Sequence, residues 1–594
     1  MPGNFKGTTV TYSFPVAGID LTRAFSAPRP RQILPSTVST TTFQGQPVVQ
    51  GIDVTGQQNP QYWGRGTPLG INVRGFEPIQ NRKRGGSRCG LSQYIPAQLP
   101  GGTYIIQGLN YSVDTQPMQT NSAGRVVTLV AVQKGNVYWA LSGDTSWSVP
   151  VNVTNPTGAS PAIAAVPPLA FSGIVRSTVC NQNVYFADGK NWVYFNPSAN
   201  TVNTWVPGTV DLLGNPITSV LPVDADGNLP RLITTWRNRI LVSGLLDDPQ
   251  TIFASAVGDP NDWDYSPLST TPTQAFALDS SSPAGYVGDV VTCIIPYTND
   301  VAVIGGDHSI YLINGDPMNG GQVDFVTGSV GMPFGTPWCM DPYGNIYFVS
   351  NKTGIYMFNP QPGNVPQRIS QNIEQLLQNI DTGLNTINMI WDDRFQGLHI
   401  FITPTGQVQS YAVTDGNVPQ VPVTHLFYEQ RTGAWWQDQF ANPNHNPLCC
   451  TTFDGNAPGD RVALIGSWDG YVRSIDPFAT MDDGWPIASK VLIGPILTGN
   501  MGELILHDLQ GVLGETSGEV QYDILTGRTA EEAIGSESVM TGTLNESRNP
   551  SEYVRVAGFA IYIQLSSTNE WSMEQIRCKI DGELGKVTQR SQYI

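Results

Sequence analysis

One device recurs along this chain and constrains its fold more than any other feature. A short run of β-branched and aromatic residues meets a Gly/Asn/Asp turn, and a second such run ends in a polar, proline-containing turn. N-V-Y-F-A-D-G-K-N-W-V-Y-F-N-P (183–197) and N-I-Y-F-V-S-N-K-T-G-I-Y-M-F-N-P (345–360) match almost residue for residue. Looser copies bring the hairpin starts to seven, near 136, 183, 238, 301, 345, 398 and 462. β-formers flanking residues that tolerate positive φ predict antiparallel hairpins. Neighbouring starts lie 44 to 64 residues apart. Recurrence on that scale is the signature of a β-propeller blade, the longer gaps being inserted loops. The physical cause is edge management: a small sheet cannot bury both faces alone, and a closed ring of sheets hides them. Stacked β-sandwiches are the alternative.

The expected architecture is therefore mainly β, a propeller of about seven blades over 125–489. Tryptophans late in a unit (Trp205, Trp263, Trp435, Trp436) suit an outer strand. Before it, 1–124 reads as an extended arm and β region. After it, 490–594 alternates apolar and polar residues over longer strands without the blade pattern, as in Y-V-R-V-A-G-F-A-I-Y-I-Q-L. That stretch reads as a separate antiparallel sandwich with a short tail. Helix is scarce. S-Q-N-I-E-Q-L-L-Q-N-I (370–380) carries apolar residues at i, i+3, i+4 and i+7, with Ser370 placed to cap it, and A-E-E-A-I (530–534) is a second, weaker helix.

Charge is segregated. Residues 1–95 hold 10 Lys+Arg and 3 Asp+Glu, or +7, and the rest hold 21 and 45, or −24, giving the total of −17. The core of the basic cluster is Arg74, Arg82, Lys83, Arg84 and Arg88. Segregation of this kind marks an arm with its own partner. The expected partner is the acidic surface of a neighbouring subunit, and the sharper alternative is the phosphate backbone of DNA.

Motifs for chemistry are weak. The seven cysteines form no C-x-x-C and read as buried free thiols of a reducing cytoplasm. The histidines at 308, 399, 425, 445 and 507 form no metal motif. D-A-D-G-N (224–228) is closer to a tight turn than to a calcium loop. Asp392-Asp393 beside Trp391, and Asp259, Asp262 and Asp264 around Trp263, have the residue types of a glycosidase carboxylate pair. His308 beside Asp307 has no nucleophile motif to serve. No catalytic, cofactor or metal residue is expected. No run of apolar residues is long enough to span a membrane, and no secretory signal is visible.

The stretch N-V-R-G-F-E-P-x-x-x-R-x-R-G-G-S-R-C-G-L-S-Q-Y-I (72–95) resembles the tail tube nozzle proteins (tail tubular protein B) of short-tailed podovirus bacteriophages. R-N-R-I-L-V-S-G (237–244), I-F-A-S-A-V-G-D-P-N-D-W-D-Y (252–265), G-I-Y-M-F (354–358), H-L-F-Y-E-Q-R-T-G-A-W-W (425–436) and W-S-M-E-Q-I (571–576) are similar to the same family. The longer inter-blade gaps and Cys89, where the family pattern leads one to expect proline, depart from it. The resemblance implies a virion structural protein assembled in the host cytoplasm. It implies a hexamer under the adaptor ring of the portal, joined by tail fibres or spikes. Such a hexamer continues the DNA channel, retains genomic DNA and lets it out during ejection. A β-propeller that binds or degrades polysaccharide is the competing reading.

Overall fold

The computed structural model describes residues 84–114, 126–151, 174–265, 273–351, 354–404 (less 362 and 379), 423–456, 460–497 and 503–582. Shorter stretches are described at 8–12, 14–15, 18–20, 40–43, 46–49 and 66–76. Strand accounts for 50% of the chain and helix for 4%, so the protein is mainly β.

The recurring sequence unit is a small antiparallel sheet with strands in chain order. The second sheet comprises Arg176–Cys180, Asn183–Ala187, Trp192–Asn196 and Thr201–Thr204. The third, fourth, fifth and sixth sheets begin at Leu232, Val291, Trp338 and Asn385 and repeat that order. The first is three-stranded: Ile106–Asp114, Val126–Gln133 and Asn136–Leu141. The seventh takes Pro447–Asp454, Arg461–Ser467 and Val472–Asp476 and borrows Gly90–Gln93 from the N-terminal region as its fourth strand. Six of the seven predicted hairpin starts fall at or within two residues of the second strand of a sheet, and the one near 136 opens a third strand.

Each sheet shares a separate apolar core with the next. Val132 and Phe186 lie between the first and second, Trp205 and Val242 between the second and third, and Phe276 and Ile304 between the third and fourth. Ile295 and Phe348 join the fourth to the fifth, and Tyr347 and Leu398 the fifth to the sixth. Phe401 and Ile465 join the sixth to the seventh, and Ile106 and Phe453 bring the seventh back to the first. Every sheet thus buries both faces, which no isolated four-stranded sheet can do.

The segment boundaries differ from the expected ones. A boundary at 124/125 would cut the first sheet, because Ile106–Asp114 pairs with Val126–Gln133. Residues from 489 onward are joined to what precedes them by hydrogen bonds. Ser489–Leu497 pairs through Gly70–Ile71 with the sixth sheet's last strand, Ala434–Asp438, in one nine-stranded sheet ending at Ser538–Leu544. A facing four-stranded sheet contains Thr8–Tyr12, Met573–Gly582, Leu504–Leu513 and Glu552–Gly558. The helix expected over 370–380 shortens to a 3-10 turn, Gln371–Ile373, and one helical turn, Glu374–Leu377. Its expected cap is engaged elsewhere, the Ser370 hydroxyl accepting from the Ile355 N–H. The five-residue helix Ala530–Ile534 is present, capped by Thr529.

D-A-D-G-N is indeed a tight turn, and it recurs as D-L-L-G-N (211–215) and D-P-Y-G-N (341–345). In each, the Asp carboxylate accepts from the backbone N–H two and four residues on and from the Asn side chain. The Gly has φ near +83°, which a Cβ disfavours. Asp341 also accepts from the Tyr347 hydroxyl and the Gln430 amide and is buried. Asp341→Ala should destabilise the fifth sheet by about 2–3 kcal/mol, since hydrogen bonds to a buried charge are the strong ones. Hydrogen exchange of the 346–358 amides tests this. Protection equal to the wild type would mean the turn is incidental.

Candidate functional site: the arginine motif and its carboxylates

The basic motif runs through the interior as a seam between the sixth sheet, the seventh sheet and the residues after 489. Its glycines make this route passable. A Cβ on Gly86 would stand 2.0 Å from the Trp571 carbonyl oxygen, and one on Gly90 would stand 1.9 Å from that of Met481. Val73–Arg74 pairs with Gly86–Ser87, folding the motif back on itself. The chain then enters the seventh sheet at Gly90.

This path carries two guanidinium groups inside. Arg74 is 6% exposed and donates from both terminal nitrogens to Asp438, at 2.7 Å each, with its guanidinium 4.1 Å from the Phe427 ring centre. Arg88 is 5% exposed and donates to both oxygens of Asp482 at 2.8 and 2.6 Å. Its Nε donates to Asn72 at 2.9 Å and lies 3.9 Å from Asp438. Arg84, nearer the surface, pairs with Glu574 at 2.7 Å. Arg74, Arg84 and Arg88 therefore meet carboxylates of their own chain. This corrects the reading of Arg74 and Arg88 as contacts for DNA or a neighbour, because a folded single chain has already buried and neutralised them. Arg82 and Lys83 lie outside the described residues.

Burial alone would lower the Arg88 pKa, but Asp482 and then Asp438 outweigh it and raise it. Burial would raise the Asp438 carboxyl, yet Arg74 and Arg88 hold it well below the usual carboxylate range. Burial pushes the Cys89 thiol up to about 12 against the pull of both arginines, so it is no thiolate. His399 and His425 adjoin the pair among Phe401, Phe427 and Phe440, and burial holds both imidazoles down to about 3. Ion pairs, neutral imidazoles and a protonated thiol make this seam a clamp.

The acids proposed for polysaccharide chemistry are engaged singly. Asp392 is buried, accepts from the Arg394 and Phe395 N–H groups, and is pushed up to about 6 by burial. Asp393 pairs with Arg461 and accepts from the Trp391 indole. Asp259, Asp262 and Asp264 accept from the backbone N–H groups of Asn261, Asp264 and Thr218. Asp307 and His308 meet at 2.9 Å on an exposed turn. Among the described residues no three His, Cys, Asp or Glu side chains are grouped to hold a metal ion. All seven cysteines are free, and six are buried.

Sequence reasoning missed Asp438 and Asp482, which complete the seam from 364 and 394 residues away. The local signal for either acid is faint: Asp438 ends the strand A-W-W-Q-D, and Asp482 is one of two adjacent acids in M-D-D-G-W.

No family model and no curated protein matches the chain. Among solved structures it is similar to the extracellular domain of a hybrid two component system from B. thetaiotaomicron, at 9% identity and a TM-score of 0.36. That match covers 74% of this chain, which spans 45% of the other. YCF48 bound to D1 peptide and the WD40 beta propeller domain of Doa1 each match at 12% identity over 65% of this chain and 97% of theirs. Their TM-scores are 0.33 and 0.34.

Proposed function

We propose that the seven sheets are the blades of a seven-bladed β-propeller, latched by Gly90–Gln93, and that the two sheets after 489 form a sandwich fixed to it. We further propose that the chain is a structural subunit, the nozzle of a short phage tail, and not an enzyme. The return of the apolar core from the seventh sheet to the first supports the propeller.

The observation that carries the function is the fate of the positive charge. The motif behind the family resemblance is an internal clamp, so its described arginines are withdrawn into ion pairs while the chain keeps a net charge of −17. A channel walled by such subunits repels phosphate, and duplex DNA slides through it without sticking. Six copies beneath the adaptor ring, with fibres or spikes at the junction, complete the reading.

The test is the native mass of the purified full chain, with negative-stain images, alone and with its adaptor ring. Six copies around an opening wide enough for duplex DNA are expected, with no DNA retained at about 0.15 M salt, where weak phosphate contacts are already screened. A chain that stays monomeric beside the adaptor ring overturns the proposal.

A further inference from the structure

The nine-stranded sheet ends in an unguarded edge. Its last strand, Ser538–Leu544 (S-V-M-T-G-T-L), contains no charged residue and no proline. Val539, Thr541 and Thr543 face solvent on one side, Val539 being 59% exposed, while Met540 packs on the core below. The neighbouring edge of the facing sheet, Glu552–Gly558, carries Glu552 and Arg555, the usual guard against pairing with another chain. Among the described residues no strand pairs with its outer side, and the outward-facing backbone groups, without such a guard, form a template for an added strand.

The same chain supplies a second unpaired element. Thr40–Phe43 and Gln46–Val49 form a two-stranded hairpin to which no third strand is hydrogen-bonded among the described residues. A lone hairpin is marginal in water and gains by joining a sheet. Its own strands are also uncharged. Pro47 lacks an N–H, so Gln46–Val49 suits the outer position and Thr40–Phe43 the joining one.

Charge decides the match. Residues 515–546 contain seven Asp/Glu against Arg528 alone, a net of −6, with exposed Glu537 and Glu546 flanking the edge strand. Residues 21–49 contain Arg23, Arg29 and Arg31 and no acid, a net of +3. In its own chain the hairpin is not paired with Ser538–Leu544. The fold holds the chain at Gly18–Asp20 and again at Thr67, so the shorter of the two connections, 50–65, spans at most roughly 50 Å, enough to reach a neighbour.

We propose that Thr40–Phe43 of one copy adds to the edge strand Ser538–Leu544 of a second copy, a contact between copies that holds whether or not the assembly is a tail ring. The test mixes two differently tagged full-length chains, Thr41→Cys in one and Thr541→Cys in the other, with a short bis-maleimide. The native thiols are mostly buried and protonated and give little background, which unsubstituted chains measure. A crosslink joining the two tags is expected, and Val539→Lys with Thr543→Lys in the second chain should abolish it without lowering Tm. Three results overturn the contact: no crosslink between tags, a dominant crosslink between two Thr541→Cys copies, or reaction only within one chain carrying both cysteines. A six-copy ring lacking the crosslink removes this contact alone. A crosslinked pair that never forms a ring removes the nozzle reading alone.

Discussion

Arg88→Met is expected to loosen the seam by about 3–5 kcal/mol, the largest effect of any single substitution we foresee. The reason is what it leaves behind. Asp482 is fully buried and accepts two of the Arg88 hydrogen bonds, and Asn72 and the Cys89 carbonyl lose donors with it. The ion pair itself adds little net stability, since desolvating both partners costs nearly what their attraction returns. An unpaired buried carboxylate has no such compensation. Arg88→Met combined with Asp482→Leu should therefore be far milder than Arg88→Met alone, a non-additivity that separates charge from packing. Hydrogen exchange across 90–93 and 472–476 reads both variants, because those strands pair in the seventh sheet. If the double variant proves as damaging as the single one, the seam works by side-chain shape and not by charge.

The seam also shows where sequence reasoning reached its range. Hairpins were legible because their cause is local: alternation with a period of two around a turn that needs positive φ, as at N-V-Y-F-A-D-G-K. The Asp–Gly–Asn turns are half legible: D-A-D-G-N reads as a turn, but D-L-L-G-N and D-P-Y-G-N share with it only the first Asp and the final Gly-Asn. The destination of the basic cluster was not legible at all. Positive residues in a row have the same composition whether they face a partner or run inward, and only the fold brings Asp438 and Asp482 to them. Gly86 and Gly90, spaced for close passage past Trp571 and Met481, were the better clue. The pattern at 370–380 misled for the opposite reason. Its apolar periodicity is real, but Ile373 and Leu377 are met by the fifth and sixth sheets within one turn of helix. Strand Gly90–Gln93 is too short to stand out from sequence, although it completes the seventh sheet.

The second large effect is loss of stability in mild acid, carried by His399 and His425. Both are buried among Phe401, Phe427 and Phe440; Arg88 opposes a further positive charge on either, Arg74 does so on His399, and Asp438 partly offsets them. Their folded pKa is near 3 against 6.5 when exposed. Between those values the unfolded chain binds protons that the folded chain refuses, so stability falls as pH drops from 6.5 toward 3. At pH 4.5 each histidine has crossed two of those pH steps, about 3 kcal/mol. His445, held down to about 4 by burial, adds in the same sense. Asp392 acts the other way: with its pKa raised to about 6, it gains a proton first in the folded state and returns about 2 kcal/mol by pH 4.5. The low pKa of Asp438 contributes only further down, once the unfolded carboxyl begins to protonate below about 4. The histidines outweigh Asp392, and the urea midpoint of the wild-type chain should drop clearly between pH 7 and pH 4.5. Neither ring nitrogen of His425 has a hydrogen-bond partner among the described residues, so phenylalanine forfeits no bond there. His425→Phe should hold its midpoint at pH 7 and lose less at pH 4.5, by about 3 kcal/mol. An unchanged pH dependence in that variant would mean that His425 is not held neutral by the fold and would leave the acid sensitivity to His399 and His445.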